Sequence, residues 1–178
     1  NKINIELPDL KLENAEFQTS VGETENNQLG KDSVVFKIRT NPKSKMGDIK
    51  EISSGGELCR IALAIKVTAE KANSSTMVFD EVDSGIGGAV STAVGERLKK
   101  LGEKRQVLVV THSPQVASQG RNHFLVRKKI SQGNTNIEVI KIEGDNKINE
   151  IARMLSGKQI TTEAILAAKK LMESNLQT

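Results

Sequence analysis

At 178 residues, with 37% hydrophobic and 27% charged side chains, the chain has the size and composition of one soluble globular domain, or of one lobe of a larger one. A single cysteine, Cys59, excludes an intrachain disulfide framework and fits a reducing compartment, and no apolar run approaches membrane-spanning length. The net charge of +4 permits nucleic-acid contact without requiring it, while four Phe with no Trp or Tyr argue against stacking bases on aromatic platforms.

The N-terminal stretch NKINIELPDLKLEN lacks the features of a signal peptide, so a soluble cytoplasmic protein is expected. Alternation in AEFQTSV (Ala15, Phe17, Thr19, Val21) predicts a strand, and SVVFKIRT (33–40) predicts a second. The polar, Gly- and Asn-rich segment Gly22 to Asp32 between them predicts a long loop joining an antiparallel pair. NPKSKMGDIKEI reads as a flexible connection.

SSGGELCRIALAIK then opens a helix from Gly56 to about Ala72, with Leu58, Ile61, Ala62, Ile65 and Ala69 at helical spacing and Cys59 read as a small buried residue. TMVFDE is a short apolar run ending in two carboxylates, as a buried parallel strand would be; Gly87 to Leu101 is helical, and QVLVVTH is a second buried strand ending in a histidine. SPQVASQ is a short helix, NHFLVRKK and TNIEVIKI an antiparallel pair, and Lys147 to Leu155 and Thr161 to about Ser174 are amphipathic helices. Helix, strand, helix, strand, helix in the middle predicts a parallel α/β core with antiparallel strands added. Ligand chemistry in such sheets gathers where the strands end, where Asp80, Glu81 and His112 fall.

Three motifs carry chemistry, and each also has a plain structural explanation. Ser53, Ser54, Gly55, Gly56 and Glu57 could be a serine-capped helix start. They could instead be an anion site, where adjacent glycines expose backbone N–H groups and Ser54 adds a hydroxyl at the positive end of the helix. Asp80 and Glu81 could be solvated carboxylates; alternatively the first holds Mg²⁺ through its waters and the second orients and deprotonates a water. His112 could be structural, or could sense a phosphate from the same sheet edge. His123 has no such companions and reads as a surface or packing residue. The basic groups Lys99, Lys100, Lys104 and Arg105, then Arg127, Lys128 and Lys129, read as solvated faces. No G-x-x-x-x-G-K-[ST] phosphate loop occurs anywhere.

In order, SSGGE, TMVFDE, VDSGIGG and TH resemble the signature motif, Walker B strand, D-loop and switch histidine of ABC-type ATPases. Glu57, where transporters carry Gln, together with FDEVDSGIGG, QVLVVTHSPQVASQG and the closing NEIARMLSG…TTEAILAAKKLM, is similar to the bacterial RecN family of DNA repair ATPases, relatives of the SMC proteins. That resemblance implies a fold: residues 1–178 as one lobe, the C-terminal lobe of an ABC/SMC-type P-loop ATPase head, with a Walker A lobe and coiled coil elsewhere in the protein. It implies ATP and Mg²⁺ as cofactors, Asp80 as metal ligand, and Glu81 and His112 acting on the nucleotide of their own head. Ser54, Gly55 and Gly56 would contact the nucleotide of a second head across a homodimer, Ser53, Glu57, Asp83 and Ser84 would also belong to the nucleotide-binding set, and Asp83 to Gly88 would cross the interface. Gly87 stands where the transporter D-loop has aspartate. The implied setting is repair of DNA double-strand breaks and recombination in the bacterial cytoplasm, on the nucleoid, with DNA as a partner of the whole protein and no membrane. Without a Walker A loop the isolated chain is expected to be inactive. The alternatives are a transporter nucleotide-binding subunit and a non-catalytic dimerisation or DNA-binding module.

Overall fold

The structure, a computed structural model, describes residues 1–28, 30–69, 76–131, 134–157 and 159–174. Helix α1 (Lys2–Glu6) and a 3-10 turn over Pro8–Leu10 open the chain and bring Leu7 and Leu10 to zero exposure. Asn4 binds the next element as a strand would: its amide donates to the Phe17 carbonyl at 2.9 Å and its oxygen accepts the Phe17 N–H at 2.7 Å. Strands β1 (Glu16–Asn27) and β2 (Gly30–Arg39) pair antiparallel, and the two-residue β3 (Gly47–Asp48) joins β2. The expected long loop is absent from the described residues, because β1 runs on through Gly22 and Glu23, which pair with Ser33 and Asp32. Ladder hydrogen bonds are indifferent to side-chain polarity, so a polar hairpin arm can extend beyond the core, here with an irregularity between Glu23 and Asn27.

Helix α2 (Gly55–Ala69) buries Gly56, Arg60, Ile61, Leu63 and Ala64. The stripe read from sequence is therefore rotated: Leu58 is 39% exposed, and Ala62 and Ala69 also face solvent. The expected last residues of this helix, 70–72, lie outside the described residues. Strand β4 (Thr76–Asp80), crossover helix α3 (Gly88–Gly102) and strand β5 (Gln106–Val110) form the expected parallel unit, with Thr76 opposite Gln106 and Asp80 opposite Val110. Its strands are covered on one face only. Met77 and Phe79 are 2% and 4% exposed, while Val78, Leu108 and Val110 on the other face are 52%, 47% and 58% exposed. The apolar composition signalled a two-sided burial that this chain supplies on one side.

Helix α4 (Pro114–Ser118) leads to the antiparallel pair β6 (His123–Ser131) and β7 (Asn134–Ile142), and then to α5 (Asp145–Ser156) and α6 (Thr162–Ser174). The main core gathers Leu10, Phe17, Ile61, Phe79, Val94 and Val116, and a smaller one joins Ile151 and Ala152 of α5 to Ala164 and Ala168 of α6. Among the described residues no helix is long and apolar enough to cross a membrane.

Arg60, on the buried face of α2, ties the opening turn to the main core. Its Nε donates to Gly56 O at 3.1 Å, and one terminal nitrogen donates to Leu10 O at 2.8 Å and Lys11 O at 2.9 Å. Lys11 needs that support, since it closes the 3-10 turn in the left-handed region at φ 58°. We expect Arg60→Met to keep the aliphatic stem, strand these carbonyls and cost about 2–4 kcal/mol. Removing the exposed Arg39–Glu16 pair by Arg39→Met should cost less than about 1 kcal/mol. Comparing the two midpoints in chemical unfolding checks both.

Candidate functional site

The parallel register sets the ends of β4 and β5 side by side, Asp80 against Val110. One residue further, the Glu81 N–H donates to Val110 O at 3.1 Å, and the Glu81 backbone turns left-handed at φ 49°. A non-glycine residue in that region is strained, and such strain persists where the surroundings impose it, often at sites of function. The reversal closes a tight turn, with Ser84 N–H donating to Glu81 O at 2.9 Å, and leaves Asp80, Glu81 and Ser84 exposed. His112 is also exposed, two residues beyond the end of β5.

Asp83 departs from expectation. It is 1% exposed, and its carboxylate is turned inward instead of towards a partner. Oδ2 accepts from Thr111 Oγ1 at 2.5 Å and from Ser113 N–H at 3.0 Å, so its partners flank His112. A buried carboxylate needs donors, and these two sit on the neighbouring strand's exit. Thr111 and Ser113 were missed in sequence; the available signal was a hydroxyl residue on each side of a histidine at a strand end.

The start of α2 leans on the same turn. Cys59 Sγ lies 2.8 Å from Val82 O, and burial pushes its thiol pKa up, Asp83's charge adding to this and Arg60 opposing it. Cys59 is thereby a neutral packing thiol, only partly buried. Ser54 caps the helix: its carbonyl accepts from Leu58 N–H at 3.0 Å and its hydroxyl from Glu57 N–H at 3.4 Å. Ser53, Ser54 and Gly55 are exposed, whereas Gly56 is buried and Glu57 half-buried.

The two glycines have different reasons. A Cβ at Gly55 would meet nothing within 4 Å, leaving that amide open to an approaching anion. A Cβ at Gly56 would lie 2.7 Å from Ile86 Cγ2 and 3.0 Å from Gly85 O, so Gly56 admits the 85–86 loop. Open space lies around Gly55, whereas Gly56, also expected to keep space for an anion, is closed off by the 85–86 loop. The structure thus brings Ser53–Glu57 and the 81–86 turn into one surface, next to the strand ends. Among the described residues no three His, Cys, Asp or Glu side chains gather into a metal cage. One exposed carboxylate, Asp80, suits Mg²⁺, which keeps most of its waters and takes few protein ligands.

No family model matches the chain. Among solved structures it is similar to a chain from a study of ATP-driven dimerization and DNA-stimulated activation of SMC ATPases, with TM-score 0.61, 18% identity, and 89% of this chain and 93% of that one covered. It is similar also to an Smc head domain with a coiled coil and joint derived from Pyrococcus yayanosii, with TM-score 0.67, 15% identity, and 87% of this chain and 28% of that one covered. The fold is that of the C-terminal lobe of an ABC/SMC-type ATPase head. Among curated proteins the chain is 41% identical over 173 residues to the DNA repair protein RecN of Vibrio cholerae, covering 96% of this chain. It belongs to the RecN family. It spans 31% of the length of that relative, about a third.

We expect Gly56→Ala to destabilise the fold by about 1–3 kcal/mol through the Ile86 and Gly85 collision. Gly55→Ala should leave stability unchanged or raise it by up to about 1 kcal/mol, since it removes unfolded-state freedom without a clash. Thermal unfolding of the two variants checks the contrast.

Proposed function

We propose that the chain is the C-terminal lobe of the ATPase head of a RecN-type protein acting in repair of DNA double-strand breaks and recombination in the bacterial cytoplasm, at the nucleoid. The observation that carries the reading is the strained Glu81 backbone, held between an exposed Asp80 and the turn that grips the His112 loop. Strain there presents a carboxylate outward from a fixed frame, as a general base requires.

In this reading Glu81 takes the proton of a water, Asp80 is the Mg²⁺ ligand, and His112 contacts the terminal phosphate of ATP in the same head. Bound Mg²⁺ supplies charge neutralisation of the phosphates. Since the sequence has no Walker A loop, the phosphate cradle and its lysine come from another lobe of the same protein. Ser53, Ser54, Gly55 and Glu57, with Ser84 on the adjoining turn, approach the nucleotide of a second head, the open amide at Gly55 and the Ser54 hydroxyl serving as donors. Gly56 and Ile86 keep helix and turn together so that both reach the partner as one unit. DNA is a partner of the whole protein.

In the full-length protein, Glu81→Gln should keep ATP binding and lose about 100-fold or more in kcat, since the amide preserves shape but takes no proton. Wild-type turnover in that variant would assign the base elsewhere.

The sharing of sites between heads has its own test. Subunits carrying Ser54→Arg and subunits carrying Glu81→Gln should each be inactive as homodimers. A purified mixed dimer should regain ATPase activity, because both defects then fall on one site and the other is intact. Activity instead in a dimer of one wild-type and one doubly substituted subunit, with none in the first mixture, would place all these residues in one head's site.

A further inference from the structure

Asp83 is the most buried acidic side chain of the region, and among the described residues no cation pairs with it. Its Oδ1 is fully buried with no hydrogen-bond partner among the described residues. An unpaired buried carboxylate is costly to keep. What the carboxylate secures is specific. Thr111 Oγ1 donates to Oδ2 at 2.5 Å; Ser113 N–H donates both to Oδ2 and to Thr111 Oγ1, each at 3.0 Å. These three bonds form a closed ring across the backbone on either side of His112. Ser113 is itself 7% exposed and donates its hydroxyl to Gln115 Oε1 at 3.0 Å, which anchors the ring to the first turn of α4. At its other end Asp83 belongs to the turn closed by Ser84 N–H on Glu81 O.

We propose that Asp83 is a positioning residue that locks the His112 loop to the Glu81 turn, so that base and phosphate-contacting group keep one relative placement. The inference rests on the roles proposed for Glu81 and His112. Asp83 touches no reacting atom; it acts through the backbone of its neighbours. Losing the lock lets His112 drift from the phosphate, and small misplacements of a catalytic group cost rate more than affinity.

The test is a double-mutant cycle on steady-state ATPase activity of the full-length protein. Thr111→Val removes one hydroxyl while leaving Asp83 and its Ser113 bond in place. It should lower kcat about 10-fold with KM changed less than about twofold, and Thr111→Ser should restore kcat to within about twofold of wild type. In a His112→Ala background, Thr111→Val should have less than about a twofold further effect, since the group it positions is gone. Wild-type kcat in Thr111→Val while His112→Ala is impaired would overturn the proposal alone, as would an equal loss in both backgrounds. Wild-type kcat in His112→Ala would overturn the site reading, and the proposal with it. Should Thr111→Val fail to fold, Asp83→Leu, which keeps the side-chain size and removes both acceptor oxygens, decides by the same outcomes when carried through the same cycle.

Discussion

Parallel pairing of β4 with β5 is the constraint from which the site follows. Parallel strands must both end at the same edge, so the crossover through α3 returns the chain to a point where Val110 lies opposite Asp80. The ladder continues one bond further, from Glu81 N–H to Val110 O, and there both strands leave the sheet. Asp80, Glu81, Asp83 and His112 all sit at those two exits. Asp83 then binds one exit to the other through Thr111 and Ser113, and α2 is seated on the first exit at Gly56 and Cys59. A shift of register by one residue would separate the two exits and turn Met77 and Phe79 out of the core.

Much of this arrangement was legible in residues. The two short apolar runs and the helix between them announced a parallel unit, and the motifs at their ends fall together at one edge of it. Of the stripe Ile148, Ile151, Ala152 and Leu155 that the spacing predicts on helix α5, the first three pack against this chain's own α6, while Leu155 is 38% exposed. Helix α2 resisted the same reading. Its apolar residues lie on several sides, and only tertiary contact with Leu10, Lys11 and the 85–86 loop selects the face with Arg60 and Gly56. Arginine on a buried face and a glycine needed for a neighbour's approach are invisible to periodicity. The hairpin loop was misjudged for a related reason: polarity between Gly22 and Asp32 reports exposure, and an exposed ladder is as polar as a loop.

Asp83 illustrates how an element can share one motif and divide its labour. Glu81 and Ser84 lie outward and Asp83 lies inward within four consecutive residues, because the left-handed Glu81 reverses the chain between them. The strain at one residue therefore sets the direction of the next three. It also explains why spacing alone cannot assign roles in this turn.

The one-sided covering of the small sheets has a colloidal consequence. Besides Val78, Leu108 and Val110, the β6–β7 pair shows Phe124, Val126, Ile137 and Val139, from 53% to 66% exposed, on a single face. Cross-strand rows of branched and aromatic side chains are surfaces on which copies of a chain stack. Lys128 and Lys141 share that face, paired across the strands with Ile137 and Phe124, and act as gatekeepers that make stacking cost charge repulsion. The β4–β5 face carries no lysine between its apolar residues, only Asp80 at its rim. Self-association through that smaller face is therefore what this chain by itself is least protected against, and Asp80 alone supplies charge there.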